Sequence, residues 1–284
     1  MIKLSDYIFK RLSEYGITQA FMVAGGGAMH LNDSLGRSGI NYTCCHHEQA
    51  CAIAAEGYAR LTGSPAVVVV TSGPGGTNCL TGVLGQWRDS VPCIYISGNV
   101  KRELMARSQE SGDRSQENSL RQLGDQEINI VDIVRPVTKF AEVVKRPEDI
   151  SWHLDKAIYY ATHGRPGPVW LDVPLDVQAA NIQTGPEGVI CFPETDPPLC
   201  LRASVVEELL RSSSRPLFLA GRGIRIAGAR DLFLEVAEKL GIPVVTSFNG
   251  KDLVPWDHPL FAGHVGIQGT RAGNRALREC DLLI

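Results

Sequence analysis

Apolar positions along the first part of the chain follow two different periods. Leu4, Ile8 and Leu12 share one face of a helix, which Gly16 ends. Four valines follow Ala66 without interruption, and such a run predicts a strand buried on both faces, as in a parallel sheet. The pattern as a whole predicts strands at 20–23, 42–45, 66–70, 93–97 and 169–173, and helices at 28–35, 49–60, from 77 onward and at 150–161. Strands that alternate with helices predict an α/β domain with a parallel sheet.

The pattern changes between residues 181 and 202, where prolines replace the periodic apolar positions. We predict a linker over 181–202, because Pro186, Pro193, Pro197 and Pro198 interrupt any regular element there. A second α/β unit follows, with helices at 203–211 and 228–240, strands at 216–220 and 243–246, and a glycine turn at 221–223. Residues 281–284 resemble the first half of a buried strand, so we expect 203–284 to be a truncated domain.

The composition is that of an ordinary globular protein, and it excludes several classes of function. Apolar residues make up 44% of the 284 residues, and the formal net charge of -3 offers no basic field for nucleic acid. No apolar run reaches the roughly 18 residues of a membrane span, and the amino terminus carries no apolar secretory segment. The eight cysteines form no Cys-x-x-Cys pair. We therefore expect a reduced, cytoplasmic protein that binds neither nucleic acid nor membrane.

Three loops follow predicted strands and are the candidates for a binding site. They are Gly25-Gly26-Gly27, His46-His47-Glu48-Gln49 and Thr71-Ser72-Gly73-Pro74-Gly75-Gly76. Because open parallel sheets bind ligands at the carboxyl ends of their strands, the three loops predict one shared site. The third loop lacks both the Lys-Ser/Thr pair of a phosphate-binding loop and the last glycine of a dinucleotide fingerprint.

Glu48 is the informative carboxylate in these loops, because it follows a strand and begins an alanine-rich helix. By itself, a glutamate in a first helical turn most often interacts with the helix dipole. A metal site with His46 and His47 is disfavoured, because adjacent side chains diverge and the spacing is not that of His-Glu-x-x-His. The local residues alone leave both a structural and a catalytic role open for Glu48.

A longer series of motifs runs in order along the chain. It comprises His47-Glu48-Gln49-Ala50, Ala54-Ala55-Glu56-Gly57-Tyr58-Ala59-Arg60, Thr71-Ser72-Gly73-Pro74-Gly75-Gly76-Thr77-Asn78, Asp89-Ser90-Val91-Pro92, Gln126-Glu127, Arg135-Pro136-Val137-Thr138-Lys139 and Gly164-Arg165-Pro166-Gly167-Pro168-Val169. The series resembles the acetolactate-synthase-like family of thiamine diphosphate enzymes over residues 1–180, and more loosely to the end. One departure is Ala24, which stands where the family's glycine loop usually has a proline.

The resemblance implies a parallel-sheet, thiamine-diphosphate-binding fold followed by a partial Rossmann-like (DHS-like) central domain. Residues 1–180 would be the pyrimidine-binding domain, and 203–284 would be the first part of the central domain. A third domain, which carries the diphosphate and Mg²⁺ site in this family, is expected to lie outside the 284 residues. The family's active sites lie between subunits, which implies a homodimer or homotetramer, with helix 49–60 as the candidate for close packing at the interface.

The resemblance also implies that Glu48 activates the cofactor. A carboxyl beside the aminopyrimidine ring exchanges a proton with N1′ and so promotes loss of the proton at C2 of thiamine. The implied activity is a carboligase that decarboxylates a 2-oxo acid such as pyruvate and transfers the two-carbon unit to a keto acceptor. The residues implied to face the cofactor or active site are Gly25, Gly26, Gly27, Thr71, Ser72, Gly73, Pro74, Gly75, Asn78 and Gln126.

FAD is a second cofactor that the resemblance introduces. Many members of the group bind FAD on the central domain without using it in redox chemistry. The residues that resemble the flavin-lining positions are Arg135, Gly221, Arg222, Gly223, Gly266 and Gly269. Ordinary turn glycines are the alternative, because Ile267-Gln268 replaces the family's usual Met-His.

Three functions stay open at this point: a thiamine-dependent carboligase, a thiamine-dependent 2-oxo acid decarboxylase, and a catalytically incomplete fragment that needs the diphosphate domain. The first two share every residue named above and differ only in their product. The acceptor is open among pyruvate, 2-oxobutyrate and a keto sugar. The keto sugar is included because segment 101–124 is more similar to thiamine enzymes of surface-polysaccharide sugar pathways.

Overall fold

The computed structural model describes residues 1–106, 122–183 and 203–284. The chain divides into two compact units, Met1–Asp196 and Pro197–Ile284. Most of the predicted linker lies outside the described residues, although Ile2–Lys3 (β1) and Asn181–Ile182 (β8) pair as two short antiparallel strands. No helix in the described ranges combines the length and the apolar character that crossing a membrane requires.

A six-stranded parallel sheet forms the centre of the first unit. Its strands are β2 (Gln19–Met22), β3 (Asn41–Cys44), β4 (Ala66–Val70), β5 (Cys93–Asn99), β6 (Phe140–Val143) and β7 (Val169–Pro174), numbered after β1 (Ile2–Lys3). Their order across the sheet is β3-β2-β4-β5-β7-β6, and every neighbouring pair is parallel. The predicted α/β class with a parallel sheet is therefore confirmed.

Helices cover both faces of this sheet. They are α1 (Leu4–Glu14), α2 (Met29–Arg37), α3 (Glu48–Thr62), α4 (Pro74–Thr77), α5 (Leu80–Asp89), α6 (Ile130–Val134), α7 (Ile150–Thr162) and α8 (Leu175–Ala179). Within β4, Val67 and Val69 join the apolar cluster that includes residues of α1, α2 and α7, whereas Val68 and Val70 join the cluster that includes residues of α3 and α5. All four valines are fully buried, as their uninterrupted run predicts.

The main differences from the predicted elements lie at chain segments with short or weak patterns. The helix predicted from 77 onward begins earlier, as the separate turn α4, because Pro74 occupies its first position. The short edge strand β6 was not predicted, since four residues carry little periodic signal. The predicted helical face of Leu4, Ile8 and Leu12 is completely buried.

The second unit has its own four-stranded parallel sheet, in the order β11-β10-β9-β12. The strands are β9 (Pro216–Ala220), β10 (Val244–Thr246), β11 (Phe261–His264) and β12 (Leu282–Leu283), and the helices are α9 (Ala203–Ser212), α10 (Gly223–Ile226), α11 (Arg230–Leu240) and α12 (Arg271–Glu279). The strand predicted from the last residues is present, because Leu282 and Leu283 pair with Pro216 and Leu217.

Small residues of α3 allow a close approach to α5 within the same unit. Ala52 and Ala55 are fully buried, and a Cβ atom at Gly82 of α5 would lie only 2.4 Å from the Ala52 Cβ. The opposite side of α3 exposes Ile53 and Leu61, at 52% and 86% of their surface. The small residues of α3 thus pack inside the chain, and its exposed face is apolar. Close packing of this helix at a subunit interface stays a prediction.

Substitution of Gly82 by alanine tests this helix contact. We expect Gly82→Ala to destabilise the first unit by roughly 1–3 kcal/mol, because the added methyl group overlaps Ala52. Gly36→Ala is the matched control, since Gly36 lies in α2 with no atom near its Cβ position. We expect this substitution to raise the free energy of unfolding by about 0.5–1 kcal/mol, because alanine has a higher helix propensity than glycine. Urea unfolding of both variants measures the difference. Equal stability of Gly82→Ala and the wild type would contradict the packing described.

Candidate active site

The three loops singled out in the sequence follow neighbouring strands of the first sheet. The glycine loop 25–27 follows β2, Glu48 follows β3, and the loop 71–76 follows β4. Because β3, β2 and β4 are adjacent and parallel, their carboxyl ends place all three loops at one edge of the sheet. Contacts join the residues after β4 to each of the other two loops.

The glycine loop packs directly on the first residues of loop 71–76. The Gly27 N–H donates a hydrogen bond to Thr71 Oγ1 at 3.0 Å. A Cβ at Gly25 would lie 2.5 Å from the Thr71 Cβ, and one at Gly27 would lie 2.7 Å from Ser72 Oγ. Larger residues at positions 25 and 27 would therefore separate the two loops. Gly26, in contrast, is exposed and has no atom within 4 Å of its Cβ position.

Glu48 is half-buried and occupies the first position of α3. The preceding residue, His47, caps the helix by accepting the Gln49 N–H at its Nδ1 atom. The Asn78 side chain donates to Glu48 Oε2 at 2.8 Å, and a Cβ at Gly75 would lie 3.7 Å from Glu48 Oε1. The carboxylate is thus held by a residue that follows β4, although Glu48 itself follows β3. This placement serves the helix dipole and a reactive role equally well.

Gln126 reaches the same edge of the sheet through an unusual backbone conformation. Its φ angle is +56°, in the left-handed region that non-glycine residues rarely adopt. Gly73, with φ +60°, lies against it, and a Cβ there would be 2.4 Å from the Gln126 carbonyl oxygen. Position 73 therefore needs glycine for both its conformation and its lack of a side chain. The Gln126 side chain is exposed beside the loop.

The carboxylate of Glu127 fixes the backbone around Gln126. Glu127 is 6% exposed, and its Oε2 accepts the N–H groups of Leu123 and Gly124 at 2.7 and 3.1 Å. Its Oε1 accepts the N–H of Ala106. Ala106 and Leu123 lie on either side of residues 107–121, so one buried carboxylate ties both sides of that segment to the sheet edge. In the sequence, Glu127 stands out only as part of a motif, because nothing local indicates these partners.

A buried carboxyl beneath the site, Asp172 of β7, is a feature that the sequence pattern missed. Ser97 Oγ donates to its Oδ1 at 2.5 Å and Asn99 Nδ2 donates to its Oδ2 at 2.6 Å, both from β5. The Trp170 indole N–H donates in turn to Ser97 Oγ at 2.8 Å. Burial raises the pKa of Asp172 from 3.8 to about 7, against the opposing effect of the two hydrogen bonds. A single aspartate inside an apolar strand was the available signal.

The remaining predicted residues fall outside this group of contacts. Pro74 is exposed at the start of α4, and its carbonyl oxygen accepts the Asn78 N–H within that turn. Arg135 is 58% exposed and faces Asp132 at 3.7 Å. The glycines of the second unit are at strand ends, Gly221 and Gly223 after β9, and Gly266 and Gly269 after β11. Arg222 lies between the first two and precedes α10.

Two of these second-unit glycines are required locally, one by its backbone conformation and the other by packing. Gly266 has a φ angle of +104°, which favours glycine, and a Cβ at Gly269 would lie 2.6 Å from the His264 carbonyl oxygen. Gly223 has no atom within 4 Å of its Cβ position, and a Cβ at Gly221 would only reach ordinary contact with Ser247. The pair after β9 therefore leaves open space at the carboxyl end of a central strand, whereas the pair after β11 serves the fold.

Two segments of the chain match models of known protein families. Residues 2–133 match the model of the thiamine pyrophosphate enzyme N-terminal TPP binding domain, and residues 204–284 match that of the thiamine pyrophosphate enzyme central domain. A solved structure of a Mycobacterium smegmatis protein, described as thiamin diphosphate-dependent, superposes with a TM-score of 0.79 at 26% identity. It is matched over 100% of this chain and 52% of its own length. The chain belongs to the family of thiamine pyrophosphate enzymes.

Within that family, the chain is similar to large subunits of acetolactate synthase. A protein of Methanocaldococcus jannaschii named in this way is 37% identical over 289 residues, which cover 100% of this chain and 46% of the relative. The acetolactate synthase large subunit of Lactococcus lactis is 34% identical, over 99% of this chain and 47% of its own length. The chain thus spans about half the length of the curated relatives it matches.

The buried carboxyl of Asp172 predicts a specific pH dependence of stability. Its pKa in the folded chain is about 7 and lies above the ordinary 3.8, so between these values the folded chain holds a proton that the unfolded chain has lost. The free energy of unfolding therefore falls as pH rises from about 4 to about 7, by roughly 1.4 kcal/mol for each unit between the two pKa values.

Asp172→Asn removes this proton uptake and should flatten the dependence over the same window. The amide fits, because its NH₂ can donate to Ser97 while its oxygen accepts from Asn99. Urea unfolding between pH 4 and 8, followed by tryptophan fluorescence, measures the slope. An unchanged slope in Asp172→Asn would show that other groups govern the pH dependence.

Proposed function

We propose that this chain supplies the pyrimidine-binding side of a thiamine-diphosphate-dependent carboligase of the acetolactate-synthase type. The observation that carries the proposal is the position of Glu48. Its carboxylate lies at the carboxyl edge of the parallel sheet, held by Asn78 and bordered by Gly75 of the loop after β4. The family membership and the acetolactate synthase relatives support the same conclusion.

The residues at this edge fit a flat aromatic ring with polar atoms on its rim. Gly25, Gly27, Gly73 and Gly75 already pack so tightly that a Cβ on any of them would overlap a neighbour. Gly26 alone faces open space, which lets its backbone approach a ligand. In the proposal, the ring lies beside Gly26 and Glu48, and Ser72 and Gln126 border it.

Glu48 is suited to share a proton with N1′ of the aminopyrimidine. Asn78 holds Oε2 at 2.8 Å and so orients the carboxylate, and Oε1 is the oxygen directed towards Gly75. Proton exchange at Glu48 would favour loss of the C2 proton of the thiazolium ring. Thiamine diphosphate, when bound, supplies the carbanion chemistry by which a 2-oxo acid loses carbon dioxide. The protein's part is to hold the proton at Glu48, to orient the ring and to limit water at the sheet edge.

Substrates and further cofactors follow from the relatives rather than from a contact in this chain. The proposed donor is pyruvate or another 2-oxo acid, and the acceptor is pyruvate, 2-oxobutyrate or a keto sugar. Mg²⁺ is proposed to bind with the diphosphate on a further domain, as in other members of the family. FAD is proposed for the second unit, on the open glycine pair Gly221 and Gly223, with Arg222 as a further contact. Arg135 belongs to the first unit, and its role towards FAD stays a prediction from the sequence. Gly266 and Gly269 support this site less, because the φ angle of Gly266 and the packing of Gly269 already account for them.

An assembly of two or four subunits in the cytoplasm is part of the proposal. The side of α3 away from the sheet exposes Ile53 and Leu61, and the neighbouring helix α5 exposes Leu84 and Trp87 at 46% and 39%. Exposed apolar residues on two adjacent helices are typical of a subunit interface. A second copy of the same helices, or another domain of the partner subunit, would cover them.

Substitution of Glu48 by glutamine is the most direct test of the proposed chemistry. In the full-length protein we expect Glu48→Gln to bind thiamine diphosphate but to slow exchange of the C2 proton at least ~100-fold, because the amide cannot share a proton with N1′. Calorimetry measures cofactor binding and NMR measures exchange. Glu56→Gln is the matched control on the same helix, with exchange close to wild type. A wild-type exchange rate in Glu48→Gln would contradict the proposal.

Product analysis separates the carboligase from the alternative lyase. Incubation of the full-length protein with pyruvate should give acetolactate, or a branched sugar when a keto sugar is present. Free aldehyde as the main product would instead favour a 2-oxo acid decarboxylase. Calorimetry with these 284 residues alone tests the third alternative, since tight binding of thiamine diphosphate and Mg²⁺ would exclude an incomplete fragment.

A charge on the exposed face of α3 tests the proposed interface. We expect Ile53→Glu to weaken self-association of the full-length protein at least ~10-fold, because the carboxylate would be desolvated in the interface. Trp152→Glu is the control, since Trp152 is similarly exposed but lies on α7, which packs on the opposite face of the sheet. Sedimentation velocity measures both variants. Equal association of Ile53→Glu and wild type would place the interface elsewhere.

A further inference from the structure

The glycine loop 25–27 accepts a hydrogen bond from a side chain that lies far away in the sequence. Gln178, in α8, is fully buried, and its Nε2 donates to the carbonyl oxygens of Gly27 at 2.7 Å and of Val173 at 2.8 Å. Val173 belongs to β7, a strand of the central sheet. One side-chain amide therefore connects the glycine loop to the end of a sheet strand.

Strand β5 passes directly beneath the same carbonyl group. A Cβ at Gly98 would lie 2.0 Å from the Gly27 oxygen and 2.7 Å from the Ala28 nitrogen, so no other residue fits under the loop. The two residues that flank Gly98 are themselves fixed, because Ser97 and Asn99 both donate to the buried Asp172. The Gly27 carbonyl thus lies between a rigid strand and the Gln178 amide.

The other end of the loop is held in a comparable way. Asn32 Nδ2, in α2, donates to the Gly25 carbonyl oxygen at 3.3 Å, and Thr71 accepts the Gly27 N–H. Among the described residues, neither Gln178 Oε1 nor Asn32 Oδ1, both buried atoms, accepts a hydrogen bond. The amide orientation of Gln178 is nevertheless fixed, because a flipped amide would direct its oxygen at two carbonyl oxygens.

We propose that Gln178 is a positioning residue for the glycine loop. By holding the Gly27 carbonyl, it sets the position of the Gly26 backbone relative to the ligand. The inference rests on the proposed function of the site. Gln178 is fully buried and donates to the backbone of Gly27 and Val173, so its effect on the site passes through Gly27. A neutral amide is suited to this place because it offers two N–H donors to two carbonyls without bringing a charge into the core.

Two substitutions of Gln178 distinguish the effect of its N–H donors from the effect of its side-chain shape. Gln178→Met keeps the length and removes both donors, and Gln178→Glu keeps the shape but places acceptors against the carbonyls of Gly27 and Val173. Thr138→Val is the matched control, since it removes a buried hydrogen bond of 2.9 Å to the Val134 carbonyl, away from the glycine loop.

Hydrogen–deuterium exchange of the 284-residue chain gives a readout that needs no cofactor. We expect the peptide that contains residues 25–28 to exchange at least ~10-fold faster in Gln178→Met and Gln178→Glu. In Thr138→Val that peptide should exchange at the wild-type rate. Unchanged exchange in both Gln178 variants, or an equal increase in Thr138→Val, would overturn the proposal.

Kinetics of the full-length protein complete the test. We expect Gln178→Met to lower kcat by roughly 10- to 100-fold, with a smaller change in KM for the 2-oxo acid, because a displaced loop misorients the reacting groups. Thr138→Val should stay within about twofold of wild type. A wild-type kcat in Gln178→Met would overturn the positioning role. Failure of the wild-type protein to release carbon dioxide with thiamine diphosphate would instead contradict the proposed function and leave the exchange result to decide the role of Gln178.

Discussion

The absence of side chains at a few glycines is the constraint on which the site depends. Gly25 and Gly27 let one loop rest on Thr71 and Ser72, Gly73 admits the Gln126 carbonyl, and Gly98 lets β5 pass beneath Gly27. At each of these positions a Cβ would lie 2.8 Å or less from another atom. Backbone packed this closely leaves little room for adjustment. The loops after three parallel strands therefore behave as one rigid edge, on which the few polar side chains have fixed positions.

Polar contacts complete this edge, and each of them joins elements that are distant in the sequence. Asn78 orients Glu48, Glu127 holds the backbone around Gln126, and Asp172 fixes the two residues that flank Gly98. These contacts are made mostly by buried or half-buried groups, for which loss of a partner is costly. A carboxylate held in this way can serve proton exchange, because its orientation does not have to be found again in each reaction cycle.

The sequence predicted the features that depend on local pattern. The buried valines of β4, the apolar face of α1 and the glycine loops at strand ends could all be identified, and order along the chain placed the loops at one edge. The roles of Glu127, Asp172 and Gln178 could not, because their partners lie elsewhere in the chain. Gln178 and Gly27, for example, are 151 residues apart. The local signal of Glu48 was equally ambiguous, and only its contact with Asn78 shows how the carboxylate is held.

The central claim is that Glu48 meets the aminopyrimidine ring of the cofactor at this edge. A crystal structure of the full-length protein with thiamine diphosphate and Mg²⁺ tests it directly. We expect a Glu48 carboxylate oxygen within about 2.6–3.2 Å of N1′, with Asn78 still donating to the other oxygen and Gly26 beside the ring. A cofactor whose N1′ lies more than about 5 Å from Glu48, or contacts another carboxylate, would contradict it.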